Sequence, residues 1–414
     1  MSFIGLQFKP ILLMRCYQGL LLSVFTLALV TGCEQAASPR DAGVEARATE
    51  KVNENKVTAA EAKQFAKEFL SAINRQDLKK IQQLVYWKAI VDRIFVGLPI
   101  DNEFYRKYST GAKTILGKFS NDIETETGAG GSYSLLKIIR RGKDRHVIFR
   151  TVSGTSAPSG GGHVNYHNLR LIKIDEQVRA DDIYIARAGS WMSEIIKKSL
   201  RPILLKSERP LDGFSAEHIK EIEEARLIAG MVEATRSGDK SEALKVYQQL
   251  PEDVKNTKTV LGARLLATEG DEFLEAVEAM VSKYPNNPAV GLSLIDYGTR
   301  QEDLEMLKRA TELLEKWTGG DPYIDLAVAV VMSKLGQADE ASELTREISL
   351  KEFDFINPVF LKYKIALASK DNETLLECFR ALRDDYDQDI SQILEADVCK
   401  DFVESIEYVD LQND

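Results

Sequence analysis

Three helix starts recur at nearly constant spacing in the second half of the chain. Asn287-Pro288, Asp321-Pro322 and Asn357-Pro358 lie 34 and 36 residues apart. An Asn or Asp side chain caps the first free amides of a helix. Proline suits the first helical position, where its missing N–H would have had no partner anyway. The segments around these starts share one pattern: a helix end, a short polar turn, then an amphipathic helix. "LATEGDEFLEAVEAMVSKYP" (266–285) and "SKLGQADEASELTREI" (333–348) are two examples. Turn positions Gly238, Gly270, Gln301, Gly336 and Lys370 recur near the same period. One helical pair cannot bury its apolar face alone, so the period predicts pairs stacked into a curved rod over residues 215–405.

This pattern resembles the tetratricopeptide repeat family, as about five degenerate repeats. Val328, Ala329 and Ala341 fit that family's small or apolar packing positions, and Pro285 its end-of-repeat proline. Gln301 and Lys370 depart from it at the turn glycine, and Glu377 stands where a small residue is expected. The resemblance implies an all-α solenoid with a groove for a protein or peptide. Tyr297, Arg300, Lys308 and Arg309 are the candidate groove residues.

The preceding region, 58–190, has a different rhythm. Thr58 with Glu61 reads as a capping box, and Ala62, Phe65, Phe69, Ala72 and Ile73 then share one helix face. Asp77 can cap a second helix. From Tyr133 the period shortens. "YSLLKII", "RHVIFRTV", "HVNYHNLRLIKI" and "VRADDIYIA" read as strands, joined by "RGKD", by the loop 153–162 and by Asp175-Glu176-Gln177. Helices followed by a curled antiparallel sheet is the expectation. That order resembles the cone-shaped fold of the nuclear-transport-factor-2-like superfamily, whose members include enzymes, binders and structural modules. The overall expectation is two domains: an N-terminal α+β domain with a curled sheet, and a C-terminal all-α solenoid. Residues 191–214 connect them, and 406–414 form an acidic tail. Trp191, Ile195 and Ile196 suggest a helix that closes the first domain.

The candidate pocket lies on the third strand. Alternation puts His163, Asn165 and His167 on one side and Val164, Tyr166 and Ile172 on the other. Asp181 or Asp182 can approach from the next strand. His163 and His167 are about 13 Å apart on a straight strand, too far to share a metal. No metal or cofactor is implied. Polar side chains on a solvent-exposed sheet face explain the same residues.

The chain also carries an address. Leu20–Val30 is apolar but too short to span a bilayer, which takes about 20 residues. Lys9 and Arg15 precede it, and the start is open between Met1 and Met14. Val30-Thr31-Gly32-Cys33 follows and resembles the lipobox of bacterial lipoproteins. The resemblance implies cleavage after residue 32 and acyl chains on Cys33. Residues 33–57 would then be a flexible tether. Glu34 favours the periplasmic face of the outer membrane, with inner-membrane retention as the alternative.

The formal charge is −10, which argues against a nucleic-acid partner. Asp371–Asp414 holds 14 acidic and 3 basic residues, read as a solvated surface. Cys378 and Cys399 are left either as a disulfide or as two free thiols. The function expected is a lipid-anchored scaffold or adaptor for an envelope protein, without catalysis. The alternative is a small-ligand-binding or hydrolytic role in the first domain.

Overall fold

The computed structural model describes residues 56–96, 105, 119, 123, 131–152, 164–197 and 216–413. Three helices come first: α1 (Ala59–Asn74), α2 (Leu78–Leu84) and α3 (Trp87–Phe95). Thr58 and Glu61 cap α1 reciprocally. The Glu61 amide donates to the Thr58 hydroxyl at 3.2 Å, and the Thr58 amide donates to the Glu61 carboxylate at 2.8 Å. The Lys80 amide donates to Asp77, which caps α2.

Five antiparallel strands follow: β1 (Ser132–Arg141), β2 (Asp144–Val152), β3 (Val164–Ile174), β4 (Gln177–Ile185) and β5 (Ser190–Trp191). They pair in sequential order. The sheet is open, not curled, and this corrects the expectation from sequence. Its edges, β1 and β5, do not meet, and β5 is only two residues long. The reason lies in how the faces are covered. A curled sheet wraps one apolar face around a core. Here each face has its own helical layer. Phe149, Leu169 and Ile183 pack with α1–α3 on one face. Ile148, Val152, Val164 and Tyr166 pack with later helices on the other. Every residue of β2 from His146 to Val152 is buried as a result.

The C-terminal region is mostly helical. Its longer helices are α4 (Ala216–Ser237), α5 (Lys240–Gln249), α6 (Lys258–Ala267), α7 (Gly270–Lys283), α8 (Pro288–Gln301) and α9 (Leu304–Thr318). They continue as α10 (Pro322–Lys334), α11 (Ala338–Arg346), α12 (Asn357–Ser369), α13 (Asn372–Arg380) and α14 (Ile406–Asn413). Helices α4–α5, α6–α7, α8–α9, α10–α11 and α12–α13 pack as pairs, and the first helices of successive pairs touch. Each turn within a pair holds one residue in the left-handed region: Gly238, Gly270, Glu302, Gly336 or Lys370. The third is Glu302, one position past the Gln301 that the sequence pattern selects; Gln301 is the last residue of α8.

Asn287 and Asp321 cap α8 and α10 through the amides of Ala289 and Tyr323. Asn357 does not cap. Ile356 is already helical in its backbone angles and holds the N-cap position, which makes Asn357 the first residue of α12. Among the described residues no helix is long and apolar enough to cross a membrane.

Candidate functional site

The two faces of the sheet divide the candidate pocket. His163 lies outside the described residues. Asn165 and His167 are buried beneath the N-terminal helices. The Asn165 side-chain oxygen accepts from the amides of Tyr166 at 2.9 Å and Arg187 at 3.0 Å. The His167 ring packs 5.2 Å from Phe119 and 5.7 Å from Tyr133. Burial pulls its imidazole down to about 3, so it is neutral near pH 7.

Asp181 and Asp182 sit elsewhere. Arg170 pairs with Asp182 and Leu171 with Ala180, so Asp181 is the extra residue of a β-bulge. The bulge lets both carboxylates serve the rim of the sheet. Arg170 donates to Asp181 through Nε at 2.7 Å and a terminal nitrogen at 3.1 Å. Arg93 of α3 donates to the Asp181 carboxylate and carbonyl. The Ser193 hydroxyl donates to Asp182 at 2.5 Å, and the Ile183 amide at 2.9 Å. Burial pushes the Asp182 carboxyl above its ordinary range, against the pull of Ser193 and Arg93. No contact joins His167 to either aspartate. Asn165, His167, Asp181 and Asp182 are all buried, so the solvent-exposed reading of these polar residues is corrected as well.

An open cleft of about 350 Å³ lies beside the aspartates, lined by Arg93, Arg170, Asp182, Trp191, Ser193 and Lys197 among others. The Arg170 guanidinium sits 5.0 Å from the Trp191 ring centre. Its donors and acceptors mostly satisfy one another. Ser193 and Asp182 stand within hydrogen-bond reach beside this cleft, the hydroxyl donating to the carboxylate. Among the described residues, no group of three or more His, Cys, Asp or Glu side chains is arranged to hold a metal.

The most connected polar site joins the sheet to the helical array. Arg150 donates to Asp321 at 2.5 Å, and the Tyr166 hydroxyl donates to the same carboxylate at 2.8 Å. Tyr323, Phe353 and Phe355 surround the Arg150 guanidinium, with ring centres 5.1 to 5.8 Å away. Burial and the Asp321 charge raise the Tyr166 phenol well above its ordinary value, so it remains a donor. Arg187 makes a bidentate pair with Asp296 of α8 at 2.6 and 3.2 Å. The Tyr184 hydroxyl donates to Asn287 at 3.4 Å. Two of the recurring helix starts therefore do double duty, as caps and as docking points for the sheet. A lone arginine inside the apolar strand "HVIFRTV" was the readable signal for Arg150. Nothing in the sequence points to its partner.

The candidate groove residues make local contacts. Tyr297 stacks on Phe273 with ring centres 4.1 Å apart, and the Gly270 amide donates to its hydroxyl at 3.1 Å. Arg300 lies 5.7 Å from the Tyr297 ring centre. Lys308 pairs with Glu305, and Arg309 with Glu278 of α7. Cys378 and Cys399 are buried free thiols, and the Tyr363 hydroxyl lies 3.2 Å from the Cys399 sulfur. Cys33 lies outside the described residues. No family model, no curated protein and no solved structure matches this chain.

Proposed function

We propose that this chain is a lipid-anchored scaffold or adaptor at the periplasmic face of the outer membrane. It binds another envelope protein through the surface of its helical pairs. The observation that carries this reading is the stacking of five pairs, α4–α5 to α12–α13, with their first helices in contact. That arrangement offers an extended surface of regularly spaced side chains. Arg150, Tyr166 and Arg187 of the sheet region, by contrast, are already engaged with the array. The lipobox-like Val30-Thr31-Gly32-Cys33 supports the anchor.

Truncation is a poor test, because removing the array would bare Ile148, Val152, Val164 and Tyr166. Photo-cross-linkers at exposed positions of the full chain avoid this. Arg300 and Lys334 sample the first-helix row, Lys308 and Glu343 the second. The expected result is one discrete envelope protein captured from the first row only. Equal capture from both rows, or no discrete protein, would sink the adaptor reading. The anchor is tested separately. Cys33→Ala should abolish an acylated mass and release the chain from membranes.

A second reading rests on the cleft beside Trp191, where a small anion would meet Arg93, Arg170 and Lys197 together with the carboxylates of Asp182 and Glu194. Quenching of Trp191 emission by a candidate anion, lost in Arg170→Met, is the measurement that favours it.

A further inference from the structure

The turn between β1 and β2 reads Arg140-Arg141-Gly142-Lys143-Asp144-Arg145, four cations and one anion in a chain of formal charge −10. Three arginines in or beside the sheet have carboxylate partners: Arg150 with Asp321, Arg170 with Asp181, Arg187 with Asp296. The hairpin cations have none among the described residues. Arg140 donates to the Gly142 carbonyl, and Arg141 to the Trp317 carbonyl. Arg140 and Lys143 are exposed, and Arg145 is half-buried. An unpaired cluster of this kind is a surface waiting for an anion from outside.

Its position says which anion. Arg145 pairs across the sheet with Leu171, so this hairpin reaches the same end as the β3–β4 turn. Lys173, near that turn, bonds Glu61 in the first turn of α1 at 3.1 Å. The described chain therefore begins, at Lys56 to Thr58, at the end of the sheet where the basic hairpin projects. The opposing charges there are few. Glu61 and Glu176 are both held by Lys173, which leaves Asp144 and the exposed Asp175. Charges farther away are screened beyond roughly 8 Å at physiological salt.

We infer that the Arg140–Arg145 hairpin contacts anionic phospholipid headgroups and sets the orientation of the protein on the bilayer. The inference rests on the lipid-anchor reading, because a tether from Cys33 brings this end of the sheet to the membrane. The anchor supplies the attachment. The hairpin supplies a second, electrostatic contact that fixes which end of the sheet faces the bilayer.

The test uses the mature full chain with Cys33→Ser, so its outcome does not depend on acylation. The probes are vesicles of phosphatidylcholine alone and of phosphatidylcholine with phosphatidylglycerol, in low salt. Co-sedimentation should be stronger with phosphatidylglycerol and should fall by about fivefold for each hairpin cation removed. Arg140→Glu with Lys143→Glu should abolish it, while Arg140→Lys with Lys143→Arg should keep it. Both sites are exposed, so the fold is unaffected, and circular dichroism checks this. Equal binding to the two vesicle types, or binding that survives the charge reversal, overturns the inference. So does hairpin-dependent capture of an acidic protein without vesicle binding. Loss of the Cys33 acyl mass alone would fault the anchor and leave this result standing.

Discussion

Arg150 of β2 and Asp321, the cap of α10, form a buried ion pair at 2.5 Å across 171 residues of sequence. Neither side chain has water to fall back on, since both are at most 5 % exposed. Removing one partner leaves the other charge buried and bare, which costs about 3–5 kcal/mol. Arg150→Ala and Asp321→Ala should each cost that much in urea unfolding. Asp321→Ala should cost about 1 kcal/mol more, because the α10 cap goes with it. The double variant should be less destabilised than the sum of the two. Single losses below about 1 kcal/mol would mean that the pair is solvated.

Gly142 and Gly189 provide a matched pair. Both have φ of +60°, where an L side chain is strained by about 1–2 kcal/mol. A Cβ at Gly142 would meet nothing, whereas one at Gly189 would lie 2.7 Å from the Asn287 side-chain oxygen. That oxygen cannot readily move, because the Ala289 amide and the Tyr184 hydroxyl both bond it. Gly189→Ala should therefore be worse than Gly142→Ala by about 1–3 kcal/mol. Thermal melts of the two variants measure the difference directly. Equal melting points would mean that the sheet and α8 are not tightly docked at this point.

Local signals were legible in the sequence and distant ones were not. The Thr58–Glu61 box, the caps at Asn287 and Asp321 and the strand boundaries of β1–β4 depend on a few neighbouring residues. The shape of the sheet does not. Whether it curls depends on what covers its second face, and that cover comes from helices more than 100 residues away. The candidate pocket was misread for a related reason. Asn165, His167, Asp181 and Asp182 read as solvent-facing because polarity alone does not reveal their partners: Phe119 and Tyr133 for His167, the Arg187 amide for Asn165, and Arg93, Arg170 and Ser193 for the aspartates. The Asp181 bulge was hidden too, since alternation alone cannot place an extra residue.

Cys378 and Cys399 give a sharp chemical readout. Both are buried, and burial raises the Cys378 thiol well above its ordinary range. The thiolate is the reactive form, so native labelling should be slow at both positions. In the mature Cys33→Ser chain, which lacks Cys16, denaturation without reductant should let two thiols label at once. Labelling that appears only after reduction would show a disulfide and a different packing of α12 and α13 with the C-terminal helices.

His167 carries a pH dependence of defined sign. Its imidazole titrates near 3 in the fold, against an ordinary value of 6.5. Below 6.5 the unfolded chain takes up a proton that the native chain refuses. Acid therefore favours unfolding, and the loss accumulates until the folded group titrates near 3. Over that window it amounts to something on the order of 4 kcal/mol. Other buried groups contribute to acid unfolding, so the comparison must be with a variant that lacks only this proton. His167→Phe suits the purpose, because Phe119 and Tyr133 already line the site with rings. Urea unfolding at pH 7, 5 and 4 should show the wild type losing stability faster than His167→Phe. Parallel curves would mean that the native imidazole takes up its proton as readily as the unfolded one, and that the site is open to water.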